Sequence, residues 1–410
     1  MSRVLFLMPT HTYRARAFLQ AARKLGIQAV VGSEKTQALE PYTSGKTLTL
    51  NFLKSDEAVH KIVQFCEEFP LDAIIPVDDD TVVVAAKASQ QLGLPSNPPE
   101  AVQATREKHR LREKLHKAGL QVPNYKIFHT GEDVKTLSQQ VNYPCVLKPV
   151  FLSASRGVIR ANQADEFIHA FHRIKKILED SEVVQRGGDL AELVLVEDYV
   201  PGIEVALEGL LTHGQLKVLA IFDKPDPLEG PYFEETIYVT PSRLDSEMQD
   251  KIKNCVQETT RVLGLQHGPI HAEIRINEQG VWIIEIAARS IGGLCARSLR
   301  FDRDTTLEEL ILRHALGEDV SPWQRESQAS GVMMIPIPKA GTLKAIRGLD
   351  EAKLIAGIED VILSIPVGQP VIPLPEGNRY LGFIFARRET PQAVETAIRK
   401  AYQRLQIEIS

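Results

Sequence analysis

The chain has 410 residues, of which 43% are hydrophobic and 25% charged, with a formal net charge of −5. That length and balance describe a soluble globular protein of about two to four structural units, large enough to need no disulfide or metal as a staple. The mildly acidic charge, with no long basic run, argues against a protein devoted to nucleic acid. No stretch approaches the ~18 apolar residues of a membrane span.

Cys66, Cys145, Cys255 and Cys295 are scattered and form no CxxC pair. This spacing gives neither a zinc knuckle nor a disulfide framework, and reads as reduced thiols in a cytoplasmic protein. The opening segment has an apolar run too short for a signal peptide, soon followed by Arg14 and Arg16.

The first part of the chain alternates strand and helix. Val4–Met8 reads as a buried strand and Tyr13–Leu25 as a helix stopped by Gly26. Ala29–Val31 and Asp72–Val77 read as strands, Val59–Glu68 and Thr81–Leu92 as helices. Such alternation predicts a parallel sheet covered by helices. The proline-rich stretch 94–99 marks a boundary, since proline lacks a donor and resists helix. The spacing then predicts one charged helix over about Arg106–Ala118, closed by Gly119.

From Val141 onward the texture changes. Apolar runs at Cys145–Val150, Leu193–Tyr199, Val205–Leu211, Leu216–Phe222, Ile270–Ile276 and Val281–Ile286 predict strands joined by short turns. Helical stretches at Ala164–Leu178 and Ser246–Leu263 interrupt them, so an α+β unit with an antiparallel sheet is expected. After a polar stretch at Gln324–Ser330 come strand-like runs at Gly331–Ile337, Val361–Ile365 and Tyr380–Ala386. A last helix starts with Thr390 as N-cap and Pro391 in its first turn. The domain reading is therefore 1–98 as an N-terminal α/β unit, 99–323 as a central two-lobed unit, and 324–410 as a small closing α/β domain.

The most informative segment is His271–Arg289. Two strand-like runs flank Glu278-Gln279-Gly280, and a three-residue hairpin loop would pair Asn277 with Val281, Arg275 with Ile283 and Glu273 with Glu285. The two glutamates would then lie opposite one another, at roughly 4.5–5.5 Å between Cβ atoms. Period-two alternation puts Ala287 and Arg289 on the face of Glu285. Two carboxylates and an arginine on one face suit Mg²⁺ and phosphate oxygens. Equally, Arg275 would neutralise the pair on a solvated surface.

Two further segments carry polar groups that fit a nucleotide. Lys148 interrupts an apolar strand, where an ammonium is costly unless it meets an anion. Ser153, Ala154, Ser155 and Gly157 follow, small enough to bring backbone N–H groups to phosphate oxygens. The alternative is an ordinary turn with a snorkelling lysine. In Leu193–Val205, Glu197 and Glu204 flank a Pro-Gly turn and can accept hydrogen bonds from a base or ribose, or stand solvated at strand ends. Neither GxxxxGK[ST] nor a GxGxxG after the first strand occurs, so a P-loop and a dinucleotide fingerprint are both missing.

In this order and spacing the segments resemble the ATP-grasp superfamily over nearly the whole chain, closest to the branch of L-amino acid ligases, carnosine synthase-like enzymes and biotin carboxylase. The resemblance implies a pre-ATP-grasp α/β domain, a central two-lobed ATP-grasp region and a small C-terminal α/β domain. It implies Lys108 and Lys148 as ATP-phosphate lysines, Arg156-Gly157 as the end of the flexible loop, and the backbone of Asp198, Tyr199 and Val200 at the adenine edge. Glu197 falls in the same hinge, Glu204 falls at the ribose, and Glu273 and Glu285 match the magnesium-binding acids. Arg289 matches the arginine on the transferring phosphate. Ala287 stands where many relatives carry a third, asparagine ligand. Glu235, Gly292, Gly293 and Arg297 are implied as substrate-side residues.

The expected activity is ATP- and Mg²⁺-dependent ligation, with Mn²⁺ as an alternative ion, of a small-molecule carboxylate to an amine through an acylphosphate. The expected partners are those small molecules, with no nucleic acid or membrane, and a homodimer is compatible. A biotin-carboxylase-like or purine-pathway carboxylating enzyme is the second reading. A non-catalytic nucleotide-binding regulator, suggested by Ala287, is the third.

Overall fold

The computed structural model describes residues 1–35 and 46–410. Its N-terminal part is a four-stranded parallel sheet in the order Thr47–Thr49, Gln28–Ser33, Arg3–Leu7, Ala73–Pro76. Helices Ala15–Lys24, Ser55–Glu68 and Val82–Leu92 pack against it. The strand Arg3–Leu7 is buried on both faces, which is why it reads as an unbroken apolar run.

A small lobe follows. Its antiparallel sheet runs Tyr125–His129, Leu193–Asp198, Cys145–Pro149, Ile159–Ala161, backed by helix Ala164–Leu178. The second lobe is built on an eight-stranded antiparallel sheet that starts Gly280–Ala287, Gly268–Asn277, Ile203–Thr212, Gln215–Asp223, Ile237–Thr240. That sheet continues without a break into Ala329–Ile335, Gly382–Arg388 and Ile358–Leu363. The segment after residue 323 thus shares a sheet with the central unit, and helix Pro391–Tyr402 covers its end. Among the described residues no helix is long and apolar enough to cross a membrane.

Two features of the fold place the site. The helix expected over Arg106–Ala118 is two helices, Pro99–Arg106 and Lys108–Lys117, with Glu107 extended between them (φ −110°, ψ 101°). No proline or glycine marks this break. It is held by tertiary contacts, the Lys108 N–H donating to Val150 C=O at 2.8 Å and its Nζ to Leu152 C=O at 2.7 Å. Lys108 therefore leaves the helical register and reaches the loop that follows Lys148.

The second feature is helix Leu307–Ala315, started by a capping box between Thr306 and Glu309. Its Glu308 pairs with buried Arg14 at 2.8 Å, and Arg14 in turn donates to Ser290 Oγ and to Ile291 C=O, the segment just after Arg289. Thr306→Ala should cost about 1 kcal/mol, read as a lower denaturant midpoint. An unchanged midpoint would show that the cap contributes nothing.

Candidate active site

Between the two lobes and the N-terminal sheet lies a cleft of about 770 Å³. Its floor is the hairpin Gly268–Asn277/Gly280–Ala287. The connection is tighter than the expected three-residue loop. Asn277 pairs with Gly280, Ile276 with Val281, Arg275 with Trp282 and Ile274 with Ile283. Asn277 Oδ1 organises this turn, accepting from the Gln279 N–H at 2.9 Å and the Trp282 indole N–H at 3.0 Å. A bulge at Ile284 then shifts the register by one residue, so that Glu273 does face Glu285. The bulge turns the Ile284 carbonyl toward Arg112, which donates to it at 2.7 Å.

Both glutamates line the cleft with about a quarter of each side chain exposed. The cations near them are not the expected Arg275. Lys108 Nζ stands 3.3 Å from Glu285, while Lys224 Nζ and His271 Nε2 each stand 3.9 Å from Glu273. Arg275 is buried elsewhere, on Glu204 at 2.8 Å and on the carbonyls of Val200 and Leu228. Mg²⁺ is commonly held by one or two protein carboxylates together with substrate phosphate oxygens. Two facing glutamates open to one cleft fit that ion, and Ala287, opposite His271, supplies no further ligand.

Lys148 projects into the cleft from strand Cys145–Pro149, where it pairs with Glu197 at 2.6 Å. Glu197 also accepts from the fully buried Arg112 at 2.6 Å, so this carboxylate is committed to two cations and orients them. Burial opposes its ionisation, but Arg112 and then Lys148 outweigh burial and hold it at about 2. Burial also draws Lys148 below its ordinary value, with Glu197 acting against that.

In the loop after Lys148, Ala154, Ser155 and Gly157 take left-handed backbone (φ 56°, 54° and 74°). Ser153 and Ser155 line the cleft. Gly157 does not: its N–H is taken by Pro375 C=O at 2.8 Å, and a Cβ there would strike the Pro149 ring at 2.7 Å. Its left-handed backbone lets the loop turn, and its N–H is not open to phosphate as expected.

At the hinge, the N–H groups of Asp198 and Tyr199 are used by Asn124 and Pro144, and Val200 C=O by Arg275. The Val200 N–H has no protein acceptor among the described residues. Val146, Val158, Leu228 and Ile284 give this end of the cleft apolar walls. A flat base with a polar edge suits such a slot.

Glu204 is not an open acceptor. It meets Arg275 and, at 2.7 Å, Lys224. Lys224 also binds Glu235, whose same oxygen accepts from Tyr238 at 2.6 Å. Glu204, Glu235 and Glu273 thus gather around one lysine, each offering a carboxylate oxygen within 4.8 Å of the others. Burial and then Glu273 push Glu235 up to about 7. Glu273 itself stays below the ordinary range, because Lys224 and His271 outweigh its burial. His271, whose ring also meets buried Glu208 at 3.2 Å, is pushed up to about 9 as these carboxylates outweigh burial.

Arg289 lines the cleft and donates to Asp79 at 2.7 Å and to Ser290 C=O at 2.9 Å. Gly292 and Gly293 line it too, Gly292 with open space where a Cβ would stand. Arg297 does not. It lies over the Phe385 ring and reaches Asp360 at 3.2 Å, because the turn Cys295–Ser298 buries Cys295, Ala296 and Ser298 and leaves Arg297 on the outer side. The sequence reading missed Arg112, His271, Lys224 and Asp79. Two of them carried a signal: Arg112 lies one helical turn after Lys108, and Lys224 directly follows an apolar strand.

Comparison with known proteins gives three family matches: an ATP-grasp N-terminal domain over residues 19–96, an ATP-grasp domain over 141–298, and the L-amino acid ligase C-terminal domain 2 over 333–410. Alanine–anticapsin ligase of Bacillus subtilis (strain 168) is 31% identical over 251 residues, covering 58% of this chain and 52% of that protein. Carnosine synthase 1 of Gallus gallus is 28% identical over 302 residues, covering 69% of this chain and 32% of its own. The chain thus spans about half the length of the first of these ligases and a third of the second. The crystal structure of an L-amino acid ligase from Bacillus licheniformis superposes with a TM-score of 0.82 at 24% identity, covering 100% of this chain and 99% of that one, and shares its fold.

Proposed function

We propose that this chain, which belongs to the ATP-grasp superfamily, joins the carboxylate of an amino acid or similar small acid to an amine, using Mg²⁺-ATP. The observation that carries the reading is the facing pair Glu273 and Glu285, open to a cleft that Lys108, Lys148 and Arg289 also enter.

ATP lies with its base in the apolar slot beside Val200 and its phosphates toward the lysines. A carboxylate oxygen of the first substrate attacks the γ-phosphorus and ADP leaves, giving an acylphosphate. The amine nitrogen then attacks the acyl carbon, phosphate departs, and the nitrogen gives up a proton. Lys108, Lys148 and Arg289 offset the charge that builds on the transferring group, and the chain's part is chiefly positioning and charge neutralisation. Glu273 and Glu285 would hold Mg²⁺, or Mn²⁺ through the same oxygen donors, and the ion would neutralise phosphate oxygens when bound. Alanine–anticapsin ligase, by its name a ligase of an amino acid, and carnosine synthase support this class of reaction. Four unpaired cysteines are in keeping with a reducing, cytoplasmic setting.

Phosphate release from Mg²⁺-ATP, measured against a panel of acids and amines, tests the reading. Release that needs both an acid and an amine is expected. Release with bicarbonate would replace the reading by a carboxylating enzyme, and nucleotide binding without release under any pairing would replace it by a regulator.

A further inference from the structure

The N-terminal sheet touches the catalytic cleft through the turn after strand Ala73–Pro76, residues Asp78 to Asp80, all of which line it. Thr81 Oγ bonds back to Asp78 C=O at 2.8 Å and fixes the turn. Two adjacent carboxylates on it collect three guanidinium groups from separate parts of the chain. Asp79 accepts from Arg289 at 2.7 Å and lies 3.7 Å from Arg106. Asp80 meets Arg106 at 3.1 Å and Arg186 at 2.6 Å. Arg106 ends the helix just before Lys108, and Arg186 belongs to helix Ser181–Gly187 of the small lobe.

The two pairs differ in burial and hence in what they do. Asp79 and Arg289 have side chains only 15% and 12% exposed. Burial opposes ionisation of Asp79, but Arg289 and then Arg106 outweigh it and hold the carboxyl far below its ordinary range. With one Nη on Asp79 and the other on Ser290 C=O, the Arg289 fork is fixed in orientation and keeps other N–H donors free for an anion. Asp80 and Arg186 are each about a third exposed, so solvent weakens this pair relative to the Asp79–Arg289 contact.

We propose that the Asp79–Asp80 turn couples closure of the small lobe to the aim of Arg289. Asp79 is the positioning residue for the arginine, and Asp80 is the point on which the small lobe docks through Arg186. Arg106, shared between the two carboxylates, joins the halves and precedes the phosphate lysine by two residues. The part played by Arg289 rests on the ligase reading; the docking of Arg186 does not.

The test is steady-state kinetics on the full chain. With wild-type turnover established, Asp79→Asn should lower kcat about 100-fold with the KM for ATP little changed. Asp79→Glu should restore at least part of that loss. Asp80→Asn and Arg186→Gln should each weaken binding of a fluorescent ATP analogue about fivefold. Asp80→Asn combined with Arg186→Gln should lose little more than Asp80→Asn alone, because both changes remove the same contact. Asp79→Asn with kcat within twofold of wild type, or losing activity only in proportion to its folded fraction, overturns the aiming role. Unchanged analogue affinity in Asp80→Asn and Arg186→Gln overturns the docking. A wild-type chain that releases no phosphate under any pairing sinks the ligase reading instead, and the analogue titration still decides the docking.

Discussion

Glutamine in place of Glu285 is expected to reduce phosphate release about 1000-fold at saturating ATP, with no loss of fold. The substitution keeps the shape and removes one charge. Glu285 stands opposite Glu273 and is partly open, so in the folded chain it is one of two like charges held together without burial to justify them. Among the described residues, Lys108 at 3.3 Å is the one cation paired with it, and Arg289 acts on it from farther away. On the proposed reading, a carboxylate is kept in that position to bind a cation. Removing it relieves repulsion with Glu273, so the melting temperature should hold or rise while the Mg²⁺ concentration needed for half-maximal rate increases. Near-wild-type turnover at low millimolar Mg²⁺ would show that the pair does not hold the ion.

Methionine at Arg112 is expected to cost about 3–5 kcal/mol, the scale for stranding one partner of a buried ion pair. Arg112 is fully buried, and its loss leaves Glu197 with Lys148 alone and the bulge carbonyl of Ile284 without its donor. The pH dependence has a definite sign. Glu197 is held at about 2 in the folded chain against an ordinary 4.5, so its contribution is fully present above about pH 4.5 and disappears as the pH falls toward 2. That difference corresponds to roughly 3 kcal/mol. Arg112→Met should therefore lower the denaturant midpoint at pH 7 and flatten its fall between pH 4.5 and 2. An unchanged acid limb would mean that Lys148 alone sets the Glu197 value.

The pairing of Glu273 with Glu285 was legible because strand alternation survives small errors, and here two departures cancelled. The turn is one residue shorter than expected, and the bulge at Ile284 adds that residue back. Asn277, whose side chain organises the turn, reads in sequence only as a polar strand end. The break at Glu107 was illegible because its cause is Val150 and Leu152, more than forty residues away. Strand Tyr125–His129 escaped notice because only Phe128 of it is buried and Ile127 is exposed, leaving no apolar alternation to see. Glu197 and Glu204 read in sequence as acceptors for a base or ribose, but they are occupied by Arg112, Lys148, Lys224 and Arg275, which come from four other segments. Which acid faces substrate and which faces a partner in the protein is decided by the folded arrangement.

The shared eight-stranded sheet has a bearing on how this chain can be recombined. A hybrid that keeps residues up to 323 and takes its remainder from a relative must rebuild the seam between Ile237–Thr240 and Ala329–Ile335, where Tyr238 lies beside Val332. Met334, on that incoming strand, lines the cleft, while its neighbour Met333 packs into the opposite core. A slip of one residue along the seam would exchange those two faces. Swapping the tail therefore also resets a wall of the cleft.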